Sequence, residues 1–285
     1  MLYSSPAKIN LFLHITGKRD DGFHNLQSLV AFTDFADQIF IEQSDFHQLA
    51  FQGDFISGID LQNNSLTRTI QVLEHYIARA LPCSVRVTKN IPSGAGLGGG
   101  SSNAATLFHA LIDLYDLEIP RDDLAIMAAS IGSDVPACLY ATPLLMTGRG
   151  EICSPAPSFP TLPVILIKPE FHHLTIDIYK NLSMPVFSEV VQYPDFFDTG
   201  DELCRFLKTK TRNDLENPAF KLSPALKTML KFLESQKNCL LARMTGSGSA
   251  LCAVFEDDES AHNALNTVQK KYPSLWGIQT YLIGG

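Results

Sequence analysis

Near the start of the chain Ala7, Ile9, Leu11, Leu13 and Ile15 alternate with Lys8, Asn10, Phe12 and His14. That period of two predicts a strand with one buried face and sets Lys8 and Asn10 on the same side. After a turn-like segment at 17–22, residues 24–35 and 37–42 read as extended. Leu66, Ile70, Leu73 and Ile77 then recur at helical spacing behind the possible caps Asn63 and Asn64. Val85 and Val87 alternate with polar neighbours and predict a strand over 84–89. Ala104, Leu107, Phe108, Leu111 and Tyr115 follow at helical intervals, so Ser101 or Ser102 is expected to open a helix. A further helix is predicted over 122–131, ending at Gly132, with Ser133 and Asp134 placed to cap a short segment at 135–140. Beyond 163 the pattern predicts a strand at 164–168 and two less regular helical stretches up to about Leu215. A helix at 224–235, strands at 239–244 and 250–255, a helix at 259–271 and a strand at 277–283 complete it. Without the irregular insertion this order is strand, helix, strand, strand, helix, strand, the ferredoxin-like arrangement.

The stretch SPAPSFPTLP at 154–163 is the strongest candidate boundary and divides the chain into 1–155 and 156–285. A chain of 285 residues with 45% hydrophobic content is long enough for two such domains. The net charge of −8 and the scattered Lys and Arg residues give no basic stripe, so no nucleic-acid partner is expected. The six cysteines form no paired C-x-x-C spacing and read as reduced, buried apolar groups of a cytoplasmic protein. The start of the chain lacks the pattern of a secretory signal, and no apolar run is long enough to span a membrane. No protein partner is evident.

Four segments carry candidate chemistry. PSGAGLGGGSSN at 92–103 has five glycines among twelve residues, and so much backbone freedom beside a helix start points to a cradled phosphate. Gly94, Gly96 and Gly99 satisfy G-x-G-x-x-G, but the dinucleotide reading also needs an acid on a second strand. Here Glu118 follows a helix and precedes Ile119 and Pro120. No Gly-Lys-Ser/Thr, H-R-D or D-F-G occurs, which removes the Walker and protein-kinase readings. A flexible linker would not need the amphipathic helix that follows. The cradle lacks its own lysine, which makes Lys8 the leading source of positive charge; Asn10 shares its face, and Phe23 and His24 follow in a nearby polar turn. Asp134 in GSDVP is either a helix cap worth about 1 kcal/mol or a general base. The segment TGSGS at 245–249 is either a plain hairpin turn or a run of backbone N–H groups touching a ligand.

Taken in order, SPAKINLFL, PSGAGLGGGSSNA, GSDVP and TGSGSALCAVF resemble the motifs of the GHMP small-molecule kinases over nearly the whole chain. SPAKINLFLHITGKRDDGFHNLQSL and IPSGAGLGGGSSNAATL are most similar to the branch that acts on a cytidylated methylerythritol in non-mevalonate isoprenoid synthesis. Mevalonate, homoserine and galactose kinases lack the D-G-aromatic-His segment in this form. The resemblance implies an α+β, two-domain architecture with the site in the cleft between the domains. Its N-terminal domain would be α/β, like the second domain of ribosomal protein S5, and its C-terminal domain ferredoxin-like. It implies transfer of phosphate from ATP, with Mg2+, to the substrate's 2-hydroxyl. Lys8 and Asp134 would be the catalytic pair. Pro92, Ser93, Gly94, Ala95, Gly96, Leu97, Gly98, Gly99, Gly100, Ser101 and Ser102 would wrap the ATP phosphates, with Ser101 or Ser102 near the metal, whose full ligand set stays unassigned. Phe23, His24 and Tyr179 would grip the cytosine, Asn10 and Thr175 would lie near the substrate's polar part, and Gly246, Ser247 and Gly248 would close over the substrate. Phe23 stands where tyrosine is expected, keeping a stacking surface without a hydroxyl, and 175–201 matches only loosely. Another GHMP kinase, of the mevalonate or homoserine type, is the alternative; a dinucleotide oxidoreductase and a silent nucleotide-binding protein are more distant ones.

Overall fold

The computed structural model describes residues 1–171, 173–183 and 186–285. Its contacts divide the chain into two compact units that interleave in sequence. The first comprises Met1–Lys8, Phe35–Ser93 and Gly98–Ala141, and the second comprises Ile9–Asp34, Gly94–Leu97 and Thr142–Gly285. Two long strands, β1 (Leu2–Lys18) and β2 (His24–Gln43), pair with each other and contribute a part to each unit. The two extended stretches expected within 24–42 are therefore one continuous strand.

In the first unit the end of β2 runs antiparallel to β4 (Cys83–Thr88), from Gln38 opposite Thr88 to Gln43 opposite Cys83. On its other edge β4 pairs in parallel with β3 (Gln48–Gln52). Val85 and Val87 of β4 are buried while Arg86 between them is exposed, as a period of two requires. Helix α1 (Ser65–Ile77) starts at Asn64, whose side chain accepts the Leu66 and Thr67 N–H groups while Thr67 Oγ1 answers the Asn64 N–H. It buries Leu66, Ile70 and Leu73 and packs with α2 (Gly99–Tyr115) and α3 (Arg121–Ile131), on both of which the single turn α4 (Val135–Cys138) also packs.

Helix α2 begins two or three residues earlier than expected, at Gly99. Its N-cap is Gly98, in a left-handed conformation (φ 65°) and without a side-chain cap, rather than Ser101 or Ser102. Such a conformation is strained for any residue with a Cβ, so the glycine defines where the helix starts.

The second unit contains β5 (Leu144–Gly148), β6 (Ile152–Pro155), β7 (Leu162–Lys168), α5 (Thr175–Lys180), α6 (Gly200–Lys210), α7 (Glu216–Leu222), α8 (Pro224–Glu234), β8 (Cys239–Met244), β9 (Leu251–Phe255), α9 (Asp258–Lys271) and β10 (Trp276–Leu282). Four of its strands lie in the order β10-β7-β9-β8, every neighbour antiparallel. With α8 and α9 as the two crossovers this is the expected ferredoxin-like arrangement, and α5 to α7 form the insertion. All of β9 is buried, which explains its unbroken apolar run. The strands β3, β5 and β6 escaped the pattern: each has four or five residues, too few for a period to stand out, and β6 ends on an edge-tolerated proline.

None of the six cysteines is disulfide-bonded, and Cys83, Cys138, Cys204 and Cys252 are buried. Among the described residues no helix is long and apolar enough to cross a membrane.

Candidate active site

Lys8 lies on β1 in the first unit, where a strand lysine would ordinarily reach water. Here its side chain is only 3% exposed, and its Nζ donates to Asp134 Oδ2 at 2.9 Å. Gly98 makes this burial feasible, because a Cβ there would lie 2.8 Å from the Lys8 Cβ and 3.1 Å from its Cε. The start of α2 thus rests directly on the lysine stem, and the glycine is required both for its positive φ and for this approach.

Asp134 does not act as a side-chain cap. It precedes α4 as the capping residue, yet its side chain makes no capping hydrogen bond; the carboxylate turns to Lys8 instead. The Asp134 side chain is 37% exposed against 3% for Lys8. A partly open carboxylate held by a buried ammonium can receive a proton from an incoming hydroxyl while its position is fixed. The residues of α4 that follow it, Val135, Pro136, Ala137 and Cys138, are buried.

Of the glycine run, Gly94, Gly96 and Gly98 all take positive φ. Pro92, Ala95, Leu97 and Ser102 are buried, whereas Ser93, Gly94 and Gly100 are exposed and Gly96, Gly98, Gly99 and Ser101 half-buried. The first four can therefore serve a ligand only through the backbone. Ser102 is further committed, its hydroxyl accepting a hydrogen bond from Ser5 Oγ at 3.0 Å. The first intrahelical bond of α2 runs from the Ser102 N–H to the Gly98 carbonyl, so the N–H groups that precede it are the helix's orphan donors, which favour an anion.

In the second unit the two glycine-rich segments meet. A Cβ on Gly96 would lie 2.6 Å from the Thr245 carbonyl oxygen and 3.0 Å from that of Gly248. The Ala250 N–H donates to the Ala95 carbonyl at 2.9 Å, and the Asn10 N–H to Thr245 Oγ1 at 3.0 Å. The segment at 245–249 thus connects β8 and β9, as the turn reading has it, and also supports the loop. Asn213 holds it as well, donating from Nδ2 to the Met244 and Gly246 carbonyls at 2.8 Å each. Sequence reasoning missed Asn213; its only cue is a polar Thr-Arg-Asn-Asp run between helices, which reads as an ordinary loop.

The residues expected near the cytosine fall in the same unit. His24 and Tyr179 rings lie 5.4 Å apart between centroids at 32°. Partial burial, with a smaller contribution from Lys18, holds the His24 pKa below its ordinary value. Phe23 is exposed, and the Arg149 guanidinium covers one face of its ring at 5.0 Å. Thr175 Oγ1 and Ser247 Oγ are 2.8 Å apart. Asn10 is buried, with Nδ2 donating to Ser28 Oγ at 2.8 Å, so its side chain braces the interior of the unit.

Among the described residues no group of three or more His, Cys, Asp or Glu side chains could hold a metal ion. Asp134 and Ser101 are nevertheless hard oxygen donors of the kind magnesium takes one or two of, the remainder being water and phosphate oxygens.

The profile described as GHMP kinases N terminal domain matches residues 64–142, and that described as GHMP kinases C terminal matches residues 199–274. A 4-diphosphocytidyl-2-C-methyl-D-erythritol kinase of Chelativorans sp. is 34% identical over 277 residues, covering 96% of this chain and 93% of the relative. The enzyme of the same description from Brucella abortus biovar 1 is 33% identical over 283 residues, covering 97% and 93%. A crystal structure of a 4-(cytidine 5'-diphospho)-2C-methyl-D-erythritol kinase superposes with a TM-score of 0.80 at 30% identity, covering 100% of both chains. Homoserine kinase from Cytophaga hutchinsonii shares the fold, with a TM-score of 0.71 at 15% identity over 99% of this chain and 94% of its own. The chain belongs to the GHMP kinases and, within them, to the family of the 4-diphosphocytidyl-2-C-methyl-D-erythritol kinases.

Proposed function

We propose that this protein transfers the γ-phosphoryl group of ATP to the 2-hydroxyl of 4-diphosphocytidyl-2-C-methyl-D-erythritol, giving the 2-phosphate and ADP. Full-length similarity to kinases of that description supports the reaction, and the observation that carries the chemistry is the buried Lys8 held 2.9 Å from the half-open Asp134 carboxylate. In this reading Asp134 accepts the proton of the substrate hydroxyl as its oxygen bonds to the γ-phosphorus and the bond to ADP breaks. The proton ends on Asp134. Lys8 fixes the carboxylate and the hydroxyl and offsets the negative charge that develops between them.

Residues 92–102 would wrap the phosphates, those after Pro92 through backbone N–H groups and the N-terminus of α2. Magnesium, when bound with the nucleotide, would neutralise phosphate charge; Ser101 suits it better than Ser102, whose hydroxyl is already engaged inside the protein. His24, kept neutral at pH 7 by its lowered pKa, offers one ring donor and one acceptor to the edge of a cytosine, with Tyr179 and Phe23 as stacking surfaces. Thr175 and the Gly246, Ser247 and Gly248 turn would meet the remainder of the substrate, and Asn10 would act by bracing that turn. The small-molecule partners are ATP and the cytidylated alcohol, and the reaction is assigned to the cytoplasm.

Release of ADP from Mg-ATP in the presence of the cytidylated methylerythritol, mevalonate, homoserine or galactose tests the reading. Turnover with the first alone is expected. Turnover with mevalonate or homoserine and none with the first would replace it with another GHMP kinase activity.

A further inference from the structure

Five polar side chains that the proposed chemistry does not use form a closed network inside the first unit. Ser5 of β1, Asp37 of β2, Lys89 just after β4, and Ser102 and Asn103 of α2 have relative exposures of 0 to 5%. Lys89 Nζ pairs with Asp37 Oδ2 and donates to Asn103 Oδ1 at 2.9 Å. Asn103 Nδ2 donates to Asp37 Oδ2 and to Ser5 Oγ, each at 2.9 Å, and Ser5 Oγ donates in turn to Ser102 Oγ at 3.0 Å.

The second oxygen of Asp37 reaches the loop itself. Oδ1 accepts the N–H groups of Asn90 and Ile91 at 2.7 and 2.8 Å, and these residues lead directly into the glycine run. A Cβ on Gly99 would lie 3.0 Å from Ile91 Cγ2 and 3.4 Å from Lys89 Nζ. One carboxylate thus ties together the residues where the run begins and, through Asn103 and Lys89, the first turn of α2 where it ends.

Stability is a poor explanation for this arrangement. A buried ion pair repays its desolvation only when every lone pair and proton is satisfied, and a well-packed apolar core of the same volume is often as stable or more so. What a satisfied polar network adds is direction, because each hydrogen bond fixes an orientation that apolar contacts leave loose. The orientation fixed here is that of the backbone N–H groups at the start of α2.

We propose that Asp37, Lys89 and Asn103 are positioning residues for the nucleotide: they hold the two ends of the glycine run so that its N–H groups converge on the ATP phosphates. This inference rests on the reading of residues 92–102 as the ATP cradle.

The test compares Asn103→Ala with wild-type protein and with Gly98→Val, measuring KM for ATP, KM for the alcohol substrate, Kd for ATP by calorimetric titration, and Tm. Asn103→Ala, which removes all three of its hydrogen bonds, should raise both KM and Kd for ATP about tenfold and leave KM for the alcohol within about twofold. A fall in Tm with unchanged ATP constants would reduce the network to a purely structural one and overturn the inference. If Asn103→Ala fails to fold, Ser5→Ala decides, since it removes only the link from Asn103 to Ser102 and keeps the ion pair. It should weaken ATP about threefold, and unaltered affinity overturns the inference. Gly98→Val separates the two layers: weakened ATP binding there, with none in the network variants, sinks the network alone, whereas unchanged binding in all variants sinks the cradle as well.

Discussion

Lys8 and Asp134 are separated by 126 positions, and each has an ordinary interpretation when considered alone: an edge lysine and a helix cap. The fold removes both by burying the lysine and turning the carboxylate away from the helix it precedes. Replacing Asp134 by Asn keeps the shape and removes the base, so kcat should fall by about 10²–10⁴-fold while Kd for ATP stays near wild type. Single-turnover kinetics would check this, and unchanged turnover would rule out proton transfer to Asp134. His24→Ala should instead raise KM for the cytidylated substrate with little change in KM for ATP. Steady-state titration of each substrate distinguishes that outcome from an effect confined to kcat, which would contradict recognition by His24. Both residues were visible in the sequence through the resemblance. Asp37, Asn103 and Asn213 were not, because a buried polar side chain is recognisable only from its partners, and Asn213 finds its partners 31 and 33 positions away.

At the scale of elements, the long periodic segments were legible, whereas α2 is capped by Gly98 rather than by a serine because a close approach to Lys8 outweighs the preference for a side-chain cap. A second local decision concerns β1. Leu13 exchanges backbone hydrogen bonds with the segment after α6, donating to Arg212 and accepting from Asp214, and His14 seals the junction. The Arg212 N–H donates to His14 Nε2 at 3.1 Å, which leaves Nδ1–H to donate to the Glu189 carbonyl at 3.2 Å. Burial lowers the His14 pKa, assisted by Arg212 and Arg243 and opposed by the Glu189 carbonyl and Asp214. The folded state therefore binds fewer protons than the unfolded state as pH falls through the ordinary histidine value of about 6.5. His14 thus contributes stability above that pH and loses it on acidification towards the lower folded pKa. Thermal unfolding between pH 7.5 and about 5 should show Tm falling with pH more steeply in the wild type than in His14→Gln. Parallel slopes would show that His14 does not carry the effect.

For the whole molecule, periodicity was enough for a mixture of strands and helices with a ferredoxin-like second half, and the order of motifs was enough for the family and the α+β architecture it implies. The ferredoxin-like unit followed because β7 and β9 are strongly apolar and largely buried, so that local pattern reports their burial directly, and β8 and β10 stand at the matching places in the element order. The interleaving of the two units was not legible. It arises because β1 and β2 each pass through both, and a chain that changes unit within a strand leaves no linker composition to find. The sequence by itself determined the long periodic elements and the glycine run, since these depend on local spacing and residue chemistry, and its motifs carried the resemblance that singled out Lys8 and Asp134. Only the tertiary structure decided which carboxylate meets which cation, that Gly98 must be glycine because Lys8 lies against it, and that a buried Asp37 network braces the run. These depend on contacts between residues far apart in the chain, and such contacts exist only once the core has closed.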